Sequence, residues 1–223
     1  AQSLRELAKD LEDPRHPISY ERLQSYANQF IAHWRELSRQ IGPEMADILA
    51  TASDEQIAEL VQNIDKRNKK FKTNYVDIPL ESLAEKRKER LTKDIKQWIS
   101  RLTAEQKQAV SAWSDQITPL AADGLRYRQR VLTEFQNLLT KQRQAPDFKE
   151  AFVALLVNFD QMRTREYQQK IDINTDLTLK LLIKIDRSLN VTQRTYLLKR
   201  IGSMASDFDK LSCDPVQITP SVQ

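Results

Sequence analysis

Apolar residues recur along this chain every three or four positions, and almost nowhere every second one. Leu23, Tyr26, Phe30, Trp34, Leu37 and Ile41 set the pattern after Ser19, and Ile57, Leu60, Val61 and Ile64 repeat it after Ser53. That spacing gathers apolar side chains on one side of a 3.6-residue turn, so it predicts helices. The same rule predicts a charged helix from about Leu80 to Ser100 (Leu83, Leu91, Ile95, Trp98, Ile99) and another from Thr103 through Val110, Trp113 and Ile117. A helix with Leu125, Val131, Leu132, Phe135, Leu138 and Leu139 follows, then a short apolar one with Phe148, Phe152, Leu155, Leu156 and Phe159. Residues 164–188 carry Leu177, Leu181, Leu182 and Ile185, and Asn190 opens a last helix through Leu197, Leu198, Ile201, Ala205, Phe208 and Leu211.

Breaks are set by proline, which disfavours helix at the residue before it. Leu4 and Leu7 read as the end of a helix stopped by Asp13-Pro14 and His16-Pro17. Gly42-Pro43 is expected to break or kink the long second helix, and Thr118-Pro119 and Ala145-Pro146 to end others. The polar run Asn68 to Asn74 is expected to fray the helix that begins at Ser53. The predicted fold is all-α, a multi-helix bundle of amphipathic helices. Residues 1–212 are expected to form a single helical domain, short of one N-terminal helix, and residues 213–223 an extended, mobile tail. With a preceding helix absent, the apolar sides around Leu4 to Leu7 and Phe30 to Trp34 would stand open, so homo-oligomerisation is an expectation.

Composition agrees with that fold. Only three glycines occur in 223 residues, while residues that lose little side-chain freedom in a helix dominate. The longest apolar run, Ala151 to Val157, falls far short of the ~20 residues that cross a bilayer. The lone Cys213 excludes an internal disulfide and has no histidine near it in sequence to activate it. Charge is uneven: residues 66–107 hold 13 Lys/Arg against 6 Asp/Glu, a balance of +7 in a chain whose total is +4. One surface should therefore be electropositive.

A short phrase is written three times: Ser53-Asp-Glu-Gln56, Thr103-Ala-Glu-Gln106 and Asn190-Val-Thr-Gln193. A small polar residue followed three places later by Gln is a capping box. The first side chain accepts from an unpaired N–H of the opening turn, and the Gln reaches back to the cap's own N–H, together contributing ~1 kcal/mol. The residues around the phrase go further. Ser53 to Leu60, then Asn68 and Tyr75, Arg87 and Arg90, Trp98 to Gln106, Trp113 and Tyr127-Arg128, with the late segment Ser188 to Arg194, Ala205, Asp207 and Leu211, resemble a family of bacterial envelope lipoproteins of unknown function. The likeness spans nearly the whole chain and is strongest over residues 53–113. It implies a periplasmic protein held at the membrane by a lipid-modified cysteine that this chain does not contain. The family's usual Gly before Leu-Thr is replaced here by Ser100-Arg101. The phrase also resembles, more weakly, the Leu-Thr-x-x-Gln periplasmic chaperones of the Spy and CpxP type, small helical proteins that cradle unfolded clients.

Catalytic and metal-binding patterns are scarce. The two histidines, His16 and His33, have no ligand partner at helical spacing. No phosphate loop or nucleophile elbow is present, and Glu85 and Glu89 sit among four cations, where ion pairing on a wet face explains them. The expectation is a non-enzyme without metal or cofactor, acting by binding an envelope protein or ligand. Candidate ligand residues are Asn68, Tyr75, Arg87, Arg90 and Arg128: the two arginines three apart share a helix face and can grip a carboxylate or phosphate, and the others can line a polar groove. A periplasmic chaperone is the second expectation. Nucleic-acid binding is third, because Trp98 and Trp113 fall on apolar stripes rather than on the basic face.

Overall fold

The computed structural model describes residues 1–213, and among these every regular element is a helix. In chain order they are α1 (Gln2–Asp10), α2 (Tyr20–Thr51), α3 (Asp54–Tyr75), α4 (Leu80–Ile99), α5 (Ala104–Gln116), α6 (Ala121–Asn137), α7 (Phe148–Val157), α8 (Arg165–Arg187) and α9 (Val191–Cys213), with a π-helical turn at Leu138–Gln142 after α6. The all-α prediction holds. The predicted extended tail lies outside the described residues, except that Cys213 ends α9.

The break expected at Gly42-Pro43 and the fraying expected after Asn68 do not occur. α2 runs unbroken with Pro43 inside it, and α3 continues through the polar run to Tyr75. Tertiary packing explains both. Gly42 faces α7 so closely that an added Cβ would stand 2.9 Å from Val153 Cγ2, so the segment is held helical by its neighbour. In α3, Asn68 is buried, which anchors a run that would fray if it faced water on all sides.

The chain divides into two compact units. The first comprises Ala1–Tyr26, Lys88–Trp113 and the residues from Leu179 on; the second comprises Ala27–Arg87 and Ser114–Thr178.

In the first unit Ile95, Ile99, Leu102, Ala109, Val110, Leu181 and Ile185 form one core cluster, with Trp98 and Trp113 packed at its margin. Burying each large aliphatic side chain contributes roughly 1.5–3 kcal/mol. A second cluster joins Leu11, Ile18 and Ile201 to Leu4, Leu7 and Tyr26. Two of the three capping boxes lie here, and both are complete. Thr103 N–H donates to Gln106 Oε1 (2.9 Å) and Gln106 N–H to Thr103 Oγ1 (3.2 Å). Asn190 N–H donates to Gln193 Oε1 (3.1 Å) and Gln193 N–H to Asn190 Oδ1 (2.9 Å).

These boxes also lock to each other. Gln106 Nε2 donates to Gln193 Oε1 (3.1 Å), and Gln193 Nε2 to Gln106 Oε1 (2.9 Å). Each amide further reaches the carbonyl five residues before its partner: Gln106 to Ser188 O (3.2 Å) and Gln193 to Arg101 O (2.6 Å). The α4–α5 and α8–α9 corners are thus joined by a reciprocal, nearly two-fold amide pair, buried at both residues. Ser100, just before the first corner, takes φ 70°, the left-handed region that suits glycine. Beside it in the same unit, the buried Arg194 guanidinium stands 2.9 Å from Asp186 Oδ1 and donates to the Leu11 and Asp186 carbonyls.

In the second unit Ala46, Ile57, Leu139, Phe148 and Phe152 form the core, with the Phe152 ring flanked by Phe135 and Phe148 at 6.2 and 6.1 Å. α2 packs here by its small residues. Ser38, Gly42 and Ala46, one turn apart, are buried, whereas Phe30, Ile31, Trp34, Leu37, Ile41, Met45 and Ile48 are exposed, Phe30 at 72%. The large apolar stripe of α2, which predicted the helix, faces outward.

Candidate functional site

The second unit contains a cavity of about 740 Å³ bounded by α2, α3, α6, α7 and α8 and the residues that follow α7. Its walls are mostly aromatic and aliphatic: Phe30 and Trp34 from α2, Tyr127, Val131 and Phe135 from α6, and Phe159. That volume lies within the roughly 300–1,000 Å³ of small-molecule sites. Along α6 the lining runs from Gly124 to Phe135, a span of about 16 Å at 1.5 Å per residue.

Polar groups gather at one end. Asn68 on α3 is 5% exposed, lines the cavity, and its Nδ2 has no hydrogen-bond partner. One turn further along α3, the Phe71 ring lies under the Arg128 guanidinium, 4.6 Å from Cζ to centroid. Arg128 forms no ion pair with any of the described residues. Gly124, one turn before Arg128, admits the Tyr167 hydroxyl, which would be 3.3 Å from a Cβ placed there. Tyr127 donates to the Phe159 carbonyl (2.6 Å), and burial raises its phenol above the ordinary value, so it stays protonated at neutral pH. Arg163 stacks on Tyr127 and Phe159 and donates to Gln168.

The acids nearby are neutralised. Asp123, next to Gly124, is buried and paired with Lys170 (2.7 Å) and with Arg126, and the Lys170 hydrogen bond leads in holding its carboxyl below the usual range. Asp160 is held by Arg35 at 2.7 Å.

Of the sequence-predicted ligand residues, Asn68 and Arg128 line this cavity. Tyr75 is one turn past Phe71, with ring centroids 5.1 Å apart, and does not line it. Arg87 is committed elsewhere in the same unit, donating through Nη2 to Ser114 O (2.6 Å) and through Nε to Ser114 Oγ (3.3 Å). Burial pushes its guanidinium down from the ordinary value. Arg90 belongs to the first unit, is exposed, and pairs along its own helix with Asp94 at 4.0 Å. The forked arginine grip expected from the three-residue spacing is therefore not formed. Sequence reading missed the aromatic walls: Phe30, Trp34 and Phe159 have the spacing of core residues, and only packing shows which of them bound a cavity.

The first unit has a smaller cavity of about 270 Å³, walled by Leu, Ile and Trp98, with Asp186 as its polar member. That carboxylate accepts from Ile18 N–H through Oδ2 (3.2 Å), and its Oδ1 is ion-paired with Arg194 at 2.9 Å, although Oδ1 has no hydrogen-bond partner.

The sequence profile of DUF6279, a family of unknown function, matches residues 1–168. The chain belongs to this family. The DUF6279 match contains every residue lining the second unit's cavity and all five predicted ligand residues, while Gln193 and the rest of α9 fall after it. No curated protein and no solved structure matches the chain.

Proposed function

We propose that this protein is a non-catalytic binding protein of the bacterial cell envelope, carried in the periplasm by a lipid anchor in its full-length form. The observation that carries the binding reading is the second unit's largely apolar, aromatic cavity, with Asn68, Arg128 and Tyr167 together at one end of its lining. Binding is favoured over catalysis because the cavity offers no base: Tyr127 is kept protonated, and Asp123 and Asp160 are paired. The envelope reading rests on the order of residues from Ser53 to Trp113 that resembles envelope lipoproteins.

Two measurements test it. Uptake of the neutral apolar dye N-phenyl-1-naphthylamine by the full chain is expected at one dye per chain and should fall at least tenfold in Val131→Trp; no uptake overturns the binding reading. The intact mass of the native protein from fractionated cells is expected to show an acylated N-terminal cysteine in the membrane fraction. An unmodified chain in the cytosol overturns the envelope reading.

A chaperone role is the second reading, supported by the outward stripe from Phe30 to Ile48 on α2. It requires that the protein suppress aggregation of an unfolded client at near-stoichiometric ratios.

A further inference from the structure

From the polarity gradient of the second unit's cavity, we infer that its ligand is an amphiphile with one acyl chain ending in an anionic oxygen head; this rests on the binding reading above. The chain end is argued from length and lining. Past Arg128 the α6 wall consists of Val131, Leu132 and Phe135, faced by Leu155 and Leu156, with no polar side chain among them. From Arg128 to Phe135 the wall runs about 10 Å along α6, which suits a single medium-length acyl chain, shorter than the half of a ~30 Å hydrocarbon core that a full lipid chain covers. The site is open on the α2 side, where Phe30 and Trp34 form an exposed aromatic rim. A flexible chain can enter there.

The head is argued from donors. Asn68 Nδ2, the Tyr167 hydroxyl and the Arg128 guanidinium sit at one end of the lining, and none has an acceptor among the described residues. Leaving a buried amide nitrogen unpaired is costly, and a ligand oxygen removes that cost while gaining a charge-assisted bond from Arg128. Arg163 adds a second cation beside Tyr127, and the neighbouring carboxylates Asp123 and Asp160 are already neutralised by Lys170, Arg126 and Arg35. A cationic head would meet two guanidiniums, whereas Arg128, exposed and stacked on Phe71, can exchange its water for a ligand's anionic oxygen. The end therefore selects an anion. Asn68 reaches a ligand when its side-chain amide turns into the cavity, because Nδ2 is shielded from water in the unliganded fold.

The test is displacement of the naphthylamine dye from the full chain by three ligands that share one chain, dodecanoate, dodecanol and dodecyltrimethylammonium, each below its micelle concentration. Dodecanoate is expected to displace at least tenfold more tightly than the other two. In the Asn68→Leu/Arg128→Gln double variant, dye uptake should persist while the preference disappears, which also shows that the variant is folded. Equal displacement by all three ligands with dye uptake intact overturns the head assignment and leaves the binding reading standing; absent dye uptake overturns both. Flotation with phosphatidylglycerol and phosphatidylcholine vesicles then separates sources. Flotation with the anionic vesicles that the double variant loses assigns the head to a membrane lipid, and no flotation assigns it to a free acid. Equal flotation with both overturns the anion preference, as does an uncharged apolar peptide that displaces the dye as well as dodecanoate.

Discussion

The two units use buried polar groups differently, although each holds buried atoms without a hydrogen-bond partner, among them Asp186 Oδ1 and Arg194 Nε in the first and Asn68 Nδ2 and Arg163 Nε in the second. In the first, glutamine amides pair with each other and a buried arginine faces a buried aspartate. In the second, an asparagine amide is left unpaired at the wall of a cavity, and the large apolar face of a long helix is turned outward. Polar groups buried with partners fix one arrangement of helices.

The sharpest way to break that contrast is at Asp186. Replacing it with Ala strands the Arg194 charge at 7% exposure, and a loss of about 3–5 kcal/mol is expected in denaturant unfolding. A loss below 1 kcal/mol would mean that the pair contributes little to the first unit. Next comes the repeated capping phrase, which the molecule uses in two settings. Gln106→Ala removes a buried amide with five hydrogen bonds and should cost about 2–3 kcal/mol, whereas Gln56→Ala, in the exposed box at Ser53, should cost less than about 1 kcal/mol. A double-mutant cycle of Gln106→Ala with Gln193→Ala should show coupling above about 1 kcal/mol; additivity would refute the interlock. Smaller and opposite in sign, Ser100→Gly relieves a left-handed residue and should add about 1 kcal/mol, read as a higher unfolding midpoint. The mildest effect is on acid stability in the second unit. The Asp123 carboxyl is lowered in the folded state, so its contribution is present above the ordinary value of 3.8 and lost as pH falls through the lowered one. Asp123→Asn should flatten the unfolding free energy below pH 4, and an unchanged slope would exclude that carboxylate as a source of acid lability.

Much of the fold was legible because helical spacing and capping are local. Ser53, Thr103 and Asn190 all cap as their sequence implies, since a box needs only residues three apart. What spacing cannot specify is the partner. Nothing local says that Gln106 and Gln193, 87 residues apart, will share hydrogen bonds. Nor does it say that Ser38, Gly42 and Ala46, rather than Phe30 and Trp34, will be the buried side of α2. Periodicity identifies faces, and the choice between them depends on how closely a neighbour approaches, as Val153 does at Gly42. The same gap limited the site. Asn68 and Arg128 were recognisable as polar residues worth placing, but Arg87 and Arg90 were grouped by spacing alone, and their real partners, Ser114 and Asp94, separate them.

The amide pair also bears on the order in which the chain becomes structured. Synthesis proceeds from the N-terminus at roughly 5–20 residues per second, and every residue of the second unit has been made by Thr178. The first unit cannot close at that point, because Gln106 waits for Gln193 and Val110 for helices that begin to supply its neighbours only at Leu179. A nascent chain therefore passes through a stage in which all residues of the second unit are present and the first unit is still open.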